Sequence, residues 1–201
     1  MGRAAGRPRG FDRQEALDRA VRLFWRHGYE ATSIAALVET LGIRPPSLYA
    51  AFGDKRALFS EAVRHYTRTY GAFTARALAE EETAYAALRR LLHEAAADYT
   101  DSAHPPGCMI ISAATNCTPA SEDVKAELRA GREATKEAFR QKIVDDITAG
   151  RLPTDTDAAA LATYYAAVLQ GMSVQACDGA AREDLERVAV LAMAAWPTPG
   201  T

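Results

Sequence analysis

The sequence predicts an all-α chain, and three observations carry that prediction. Apolar residues recur at the helical spacing i, i+3, i+4 and i+7 from Leu17 to Trp196, with no β-alternation of useful length between them. Glycines and prolines separate these stripes, as expected where helices stop and start. Two short segments, one through Ile34, Leu37, Val38 and Leu41 and one after Pro45-Pro46, flank Gly42. That is the sequence form of a helix-turn-helix.

Composition narrows the classes. A chain of 201 residues can bury a substantial core, as one large domain or two small ones. No run of about eighteen apolar residues exists, so no membrane span is expected. The opening MGRAAGRPRG is basic but has no apolar h-region, so it does not read as a secretory signal. Three cysteines, an odd number without metal-type spacing, suit a reduced, cytoplasmic chain better than a disulfide framework. The net charge of −2 hides an asymmetry: residues 1–70 hold 12 Lys and Arg against 7 Asp and Glu, and residues 71–201 hold 12 against 19. A basic head on an acidic body fits phosphate contact confined to one end.

The elements follow in order. Arg3 and the segment Gly6-Arg7-Pro8-Arg9-Gly10 form a short basic arm over 1–10 that cannot pack, but can lay arginines in a minor groove. Asp12 with Glu15 three residues on makes a capping-box-like start for a first helix with Leu17, Ala20, Val21 and Phe24 inward, ending at Gly28. Thr32 and Ser33 stand where the second helix needs an N-cap, and Gly42 stops it. Pro45 and Pro46 must open the third helix, because proline is tolerated only in a first turn. Its side chains, Ser47, Tyr49 and Ala50 with Arg44 just ahead, are small or polar enough to enter a DNA major groove, while Leu48 and Phe52 face inward.

Phe24, Gly28-Tyr29, Thr32-Ser33-Ile34, Gly42-Ile43, Pro46-Ser47-Leu48-Tyr49, Phe52, Lys55 and Leu58 together resemble the DNA-binding domain of the TetR family, over about residues 11 to 60. The resemblance implies a DNA-binding domain at 11–57 and a helical effector-binding and dimerisation domain at 58–201. It implies phosphate contacts from Tyr49 and Lys55, with Thr32 and Ser33 donating at the start of the second helix. Relatives usually carry a small capping residue at the position of Arg44 and a polar or basic one at Pro45. Pro45 has no donor, so any base reading there is apolar, and Arg44 becomes the candidate for a guanine contact. A phosphate clamp is its other reading.

A fourth helix capped by Asp54 is expected to run long, through Leu58, Phe59, Ala62, Tyr66, Tyr70, Phe73 and Ala77, joining head to body without a linker. Glu80-Glu81-Glu82 marks its solvated end. Tyr85, Leu88, Leu92, Ala95 and Tyr99 give the next helix, and His104-Pro105-Pro106-Gly107 a firm break. Residues 108–116 read as a short buried helix. Pro119 breaks again, Ser121 is expected to cap a long helix through Val124, Leu128, Thr135, Phe139, Ile143 and Ile147, and Gly150 ends it. Pro153 and Asp155 introduce an alanine-rich helix with Leu161, Tyr164, Tyr165, Val168, Leu169 and Met172, and Leu185 to Trp196 form the last.

Those last two helices are apolar on more than one face, which calls for a second partner. The resemblance supplies it: a homodimer through these helices, reading a pseudo-palindromic double-stranded DNA operator at half-sites ~34 Å apart. It also implies an effector site in the body, with Tyr66, Tyr70, Phe73, Tyr99, Met109, Phe139, Tyr164, Tyr165 and Met172 as candidate lining. Their chemistry suits a small apolar or aromatic molecule. Cys108, at a helix start where a thiolate is favoured, offers an alternative as a redox or electrophile sensor. Cys108 and Cys117 on one helix would lie ~13 Å apart along its axis, too far for a disulfide. A sequence-tolerant DNA-binding protein without effector is a further alternative. His27, His65, His93 and His104 have no ligand spacing, and no phosphate loop, nucleophile elbow or paired catalytic acids occur. Neither cofactor, metal nor catalytic site is expected.

Overall fold

The computed structural model describes residues 11–113 and 121–197, and every regular element within them is helical. The basic arm with Arg7 and Arg9, together with Cys117 and Pro119, lies outside the described residues. No described helix is long and apolar enough to cross a membrane.

Helix α1 (Arg13–Ala31) starts on Asp12, whose Oδ1 accepts from the Gln14 and Glu15 N–H groups at 2.8 and 3.1 Å. Gly28 interrupts it with φ 77° and ψ 176°, a backbone region essentially reserved for glycine. Helix α2 (Ile34–Leu41) ends on Gly42 in the left-handed conformation, and α3 (Pro45–Phe52) follows with its two prolines in the first turn. Ser33 alone caps α2: its Oγ accepts from Ala36 N–H at 3.0 Å. Ser33→Ala is therefore expected to lower stability by ~1 kcal/mol, read from the denaturant midpoint of the purified protein.

Helix α4 (Lys55–Arg68) departs from the sequence expectation. The apolar period continues to Ala77, yet the helix stops at Arg68 and a separate α5 (Ala72–Glu80) takes up the stripe. Thr69 folds its hydroxyl back onto the His65 carbonyl at 2.8 Å, and Gly71 N–H donates to Tyr66 O at 2.9 Å. Gly71 then rests on the Tyr66 ring so closely that a Cβ would come within 3.0 Å of Cε1. The break is made by this close approach, which helical periodicity does not report.

The body continues with α6 (Ala84–Tyr99), α7 (Met109–Ser112), α8 (Glu122–Thr148), α9 (Ala158–Cys177) and α10 (Arg182–Ala194). Helix α7 is shorter than the expected 108–116 run, whose end lies outside the described residues. Ser121 precedes α8 without capping it through its side chain, and Asp157, not Asp155, caps α9 by accepting from Ala159 and Ala160 N–H.

Two cores result. One gathers α1 to α4 around Phe24, Leu37, Leu48 and Phe59, with Phe24 and Phe59 edge to face at 5.0 Å. Met109 of α7 and Val124 and Leu128 of α8 belong to it, so the body reaches into the head. The other lies among α5, α6, α8, α9 and α10 around Leu91, Phe139 and Tyr165. Where head and body meet, Trp25 stacks on His104 at 4.7 Å and Arg22 donates to the Ala103 carbonyl at 2.6 Å. Burial pushes the Asp98 carboxyl up to about 6, opposed by His104 3.6 Å away.

On the far side of the body, α9 leaves Ala160, Tyr164, Ala167, Gly171 and Val174 exposed in one stripe with the alternating spacing of four and three. Beside it α10 exposes Val188 and Leu191, the latter at 71%. These two stripes are the apolar faces that the sequence predicts will need a second partner.

Candidate nucleic-acid interface and the body cavity

The helix-turn-helix is presented by its core. Leu48 and Phe52, one turn apart, are buried and fix the rotation of α3. Arg44, Pro45, Pro46, Ser47, Tyr49 and Ala50 consequently all face outward, with Tyr49 49% exposed despite its size. Arg44 is the N-cap residue of α3, and its side chain makes no capping bond. The α3 N-terminus offers few backbone donors, because Pro45 and Pro46 have no N–H and the Ser47 N–H is bonded to the Arg44 carbonyl at 2.9 Å. Reading at this end must come from side chains. At the start of α2 the Ser33 cap takes up only the third N–H, leaving those of Ile34 and Ala35 as anion donors.

One candidate has to be corrected. Thr32 is 1% exposed and its hydroxyl donates to the Gly28 carbonyl at 2.7 Å. It holds the turn after the Gly28 kink and has no hydroxyl to offer a phosphate. Lys55 is half-buried, with its ammonium 4.3 Å from the centre of the Tyr29 ring and 3.4 Å from the Glu30 carbonyl. Burial lowers its pKa, partly offset by the Glu30 charge.

Two arginines near the head are engaged internally. Arg13 grips both oxygens of Glu61 at 2.6 and 2.7 Å and lies over the Phe52 ring, locking α1 to α4 and α3. Arg56 pairs with Asp123 and, at 2.6 Å, with Glu127, while Ser60 donates to the same Glu127 oxygen at 2.9 Å. This seam fastens the first turns of α4 to α8. Nothing in the local sequence around Arg56 points to partners 67 and 71 residues away.

The body holds a mainly apolar cavity of about 380 Å³ walled by α4, α5, α6, α7, α8 and α9. Of the nine predicted lining residues, Tyr66, Phe73 and Tyr99 reach it. The other six do not. Tyr70 turns to the Asp18 carboxylate, donating at 2.9 Å. Met109, Phe139 and Met172 are close-packed core, and Tyr165 is anchored on the Ala192 carbonyl at 3.1 Å. Tyr164 is exposed on the outer stripe of α9. Sequence reading missed the α8 wall, where Gly131, Ala134 and Ala138 supply the space. Small residues at helical spacing opposite aromatic ones were the available signal.

Cys108 also lines the cavity. Burial pushes its thiol up, more than the Tyr66 hydroxyl and the α7 backbone pull it down. This reverses the expectation that the helix start would favour a thiolate: α7 has four residues, and the loss of water outweighs its dipole. No group of three metal-ligating side chains occurs among the described residues.

A core of α1 to α4 that turns one short, cation-headed helix outward, mounted on a helical body with its own cavity, defines a helix-turn-helix transcription regulator. Residues 16–62 match the family described as bacterial regulatory proteins, tetR family, and residues 84–189 match the tetracyclin repressor-like C-terminal domain. The HTH-type transcriptional repressor ComR of Escherichia coli (strain K12) is 35% identical over 97% of this chain and 93% of its own. The repressor BdcR of the same strain is 32% identical over 94% and 91%. A cysteine mutant of the TetR family regulator CifR, solved in complex with 26-bp double-strand operator DNA, superposes with a TM-score of 0.92 at 46% identity, covering 96% of this chain and all of that one. The chain belongs to the TetR family of transcription regulators, a family that is not enzymatic.

Proposed function

We propose that this chain is a cytoplasmic repressor that binds a pseudo-palindromic operator as a homodimer and is released by a small apolar molecule held in the body. The observation that carries the reading is the outward face of α3, where Arg44, Ser47, Tyr49 and Ala50 stand free over buried Leu48 and Phe52. In this reading residues 1–10 are a basic arm, 11–57 the DNA-binding domain and 58–201 the effector and dimerisation domain. Tyr49, Lys55 and Ser33 contact phosphates, with the Ile34 and Ala35 N–H groups beside Ser33. Arg7 and Arg9 enter the adjoining minor groove. Arg44 reads a guanine, Pro45 and Pro46 offer apolar contact to a thymine methyl, and Ser47 and Ala50 are lesser readers. Operator binding by the CifR form and the repressor names of ComR and BdcR support this reading.

Release follows from the cavity's walls. Tyr66 belongs to the head's core and also lines the cavity, and Glu127 both lines it and holds Arg56. A molecule that wedges α8 away from α4 therefore strains the fastening of the head. To empty an operator, it must favour the other head spacing by about 5.5 kcal/mol. Cys108 serves this reading as neutral wall.

Selection of bound sequences from random duplex DNA tests the proposal, and a palindrome with half-sites about one helical turn apart is the expected result. Coverage of all duplexes alike would overturn it. With the selected operator in hand, Arg44→Ala is expected to relax preference at one base step per half-site by about 1–3 kcal/mol. A uniform loss across sequences, with a shallower salt dependence, would instead assign Arg44 to a phosphate.

A further inference from the structure

We propose that the body cavity selects a largely apolar molecule carrying one hydrogen-bond acceptor, which accepts a hydrogen bond from the Tyr66 hydroxyl. This deepens the reading just given, since it names the chemical class of the releasing molecule. The argument begins with an unspent donor. Tyr66 is 2% exposed, lines the cavity, and its hydroxyl has no hydrogen-bond partner among the described residues. A buried donor left unmade is costly, so a site of this kind gains from an occupant that completes it.

The neighbouring Cys108 does not complete it. Burial keeps that sulfur protonated, and a neutral thiol is a weak acceptor. The ring, meanwhile, is held in place from two sides, edge to face on Trp25 at 4.9 Å and against Gly71. The hydroxyl is thus a fixed donor, and an acceptor must come to it.

The two charged groups of the wall differ in what they have to offer. Arg132 already donates to the Ile110 carbonyl at 3.1 Å, and Glu127 is taken by Arg56 and Ser60. Glu127 is therefore spent on its own chain, whereas Arg132 keeps its charge and its remaining N–H donors, so a cationic ligand finds no free counter-charge among these groups and is strongly disfavoured. Burial raises both Tyr66 and Tyr99, so each keeps its proton and Tyr66 remains a donor. The volume of about 380 Å³ suits a small monocyclic molecule rather than a long lipid.

Two probes of similar shape separate the possibilities: acetophenone and isopropylbenzene, titrated against the full chain by calorimetry. Acetophenone is expected to bind about tenfold tighter than isopropylbenzene. Tyr66→Phe, which removes only the unpaired hydroxyl, is expected to erase the difference between the two probes while the fold is kept. Gly131→Leu, whose side chain grows from a Cβ position 3.7 Å from Ile110, fills the cavity and is expected to abolish binding of both. Equal binding of the two probes to the unaltered chain overturns this inference and leaves the cavity reading standing. Binding of neither probe, or binding that Gly131→Leu leaves unchanged, overturns both.

Discussion

Leu191→Glu is expected to leave the chain folded but monomeric, with operator affinity lower by several orders of magnitude. Leu191 is 71% exposed on α10, beside Val188 and next to the α9 stripe of Tyr164, Gly171 and Val174. Because it contacts so little of its own chain, a carboxylate there has almost no effect on the monomer. In a two-fold dimer each substitution acts twice. Losing a buried leucine costs ~1.5–3 kcal/mol, and a stranded carboxylate adds several more per copy. The sum exceeds ~6 kcal/mol, more than four decades in the dimer dissociation constant. A monomer meets only one half-site, so the operator loss follows. Sedimentation equilibrium gives the mass and a titration with the selected operator gives the affinity. A dimer of unchanged strength would remove α9 and α10 from the interface.

Asp146→Ala is expected to destabilise the fold by about 2–3 kcal/mol, the largest effect on stability foreseen for a single side chain here. Asp146 is 2% exposed, an unusual place for a carboxylate. One oxygen accepts the Ala84 N–H at 2.7 Å, and the other accepts Arg151 Nε at 2.8 Å. The Ala84 group opens α6, where helix geometry leaves the N–H without an internal partner. Removing the carboxylate strands that buried donor, releases the part-exposed Arg151 to water, and costs α8 one polar tie to α6. Urea unfolding at neutral pH measures the change. Asp146→Asn, which keeps an acceptor, is expected to lose less, and a loss below ~1 kcal/mol for the alanine variant would mean that water replaces the carboxylate.

Asp146 also marks where sequence reading stopped. On an amphipathic helix it reads as one more solvated acid, and its partners are 62 residues back and 5 ahead. Arg56 is the same case, an arginine in a basic head whose charge is spent on α8. The break between α4 and α5 was hidden because Tyr70 and Phe73 continue the apolar period across it. What ends the helix is the seating of Gly71 on the Tyr66 ring. Among the nine candidate lining residues the sequence could not separate core from cavity, because both demand large apolar side chains at helical spacing. Only Tyr66, Phe73 and Tyr99 line the body cavity.

By itself the sequence determined the all-α class, the helix-turn-helix, the inward Leu48 and Phe52, the caps at Asp12, Ser33 and Asp54, and the family. These are local matters: capping, glycine and proline geometry and a 3.6-residue period all act within a few residues. The tertiary structure alone decided that Thr32 is sealed beneath the turn, that Cys108 is kept a thiol, and that Arg56 binds the body. It also decided which tyrosine keeps an unused hydroxyl. Each of those depends on groups far apart in the chain that only packing brings within hydrogen-bond or van der Waals range.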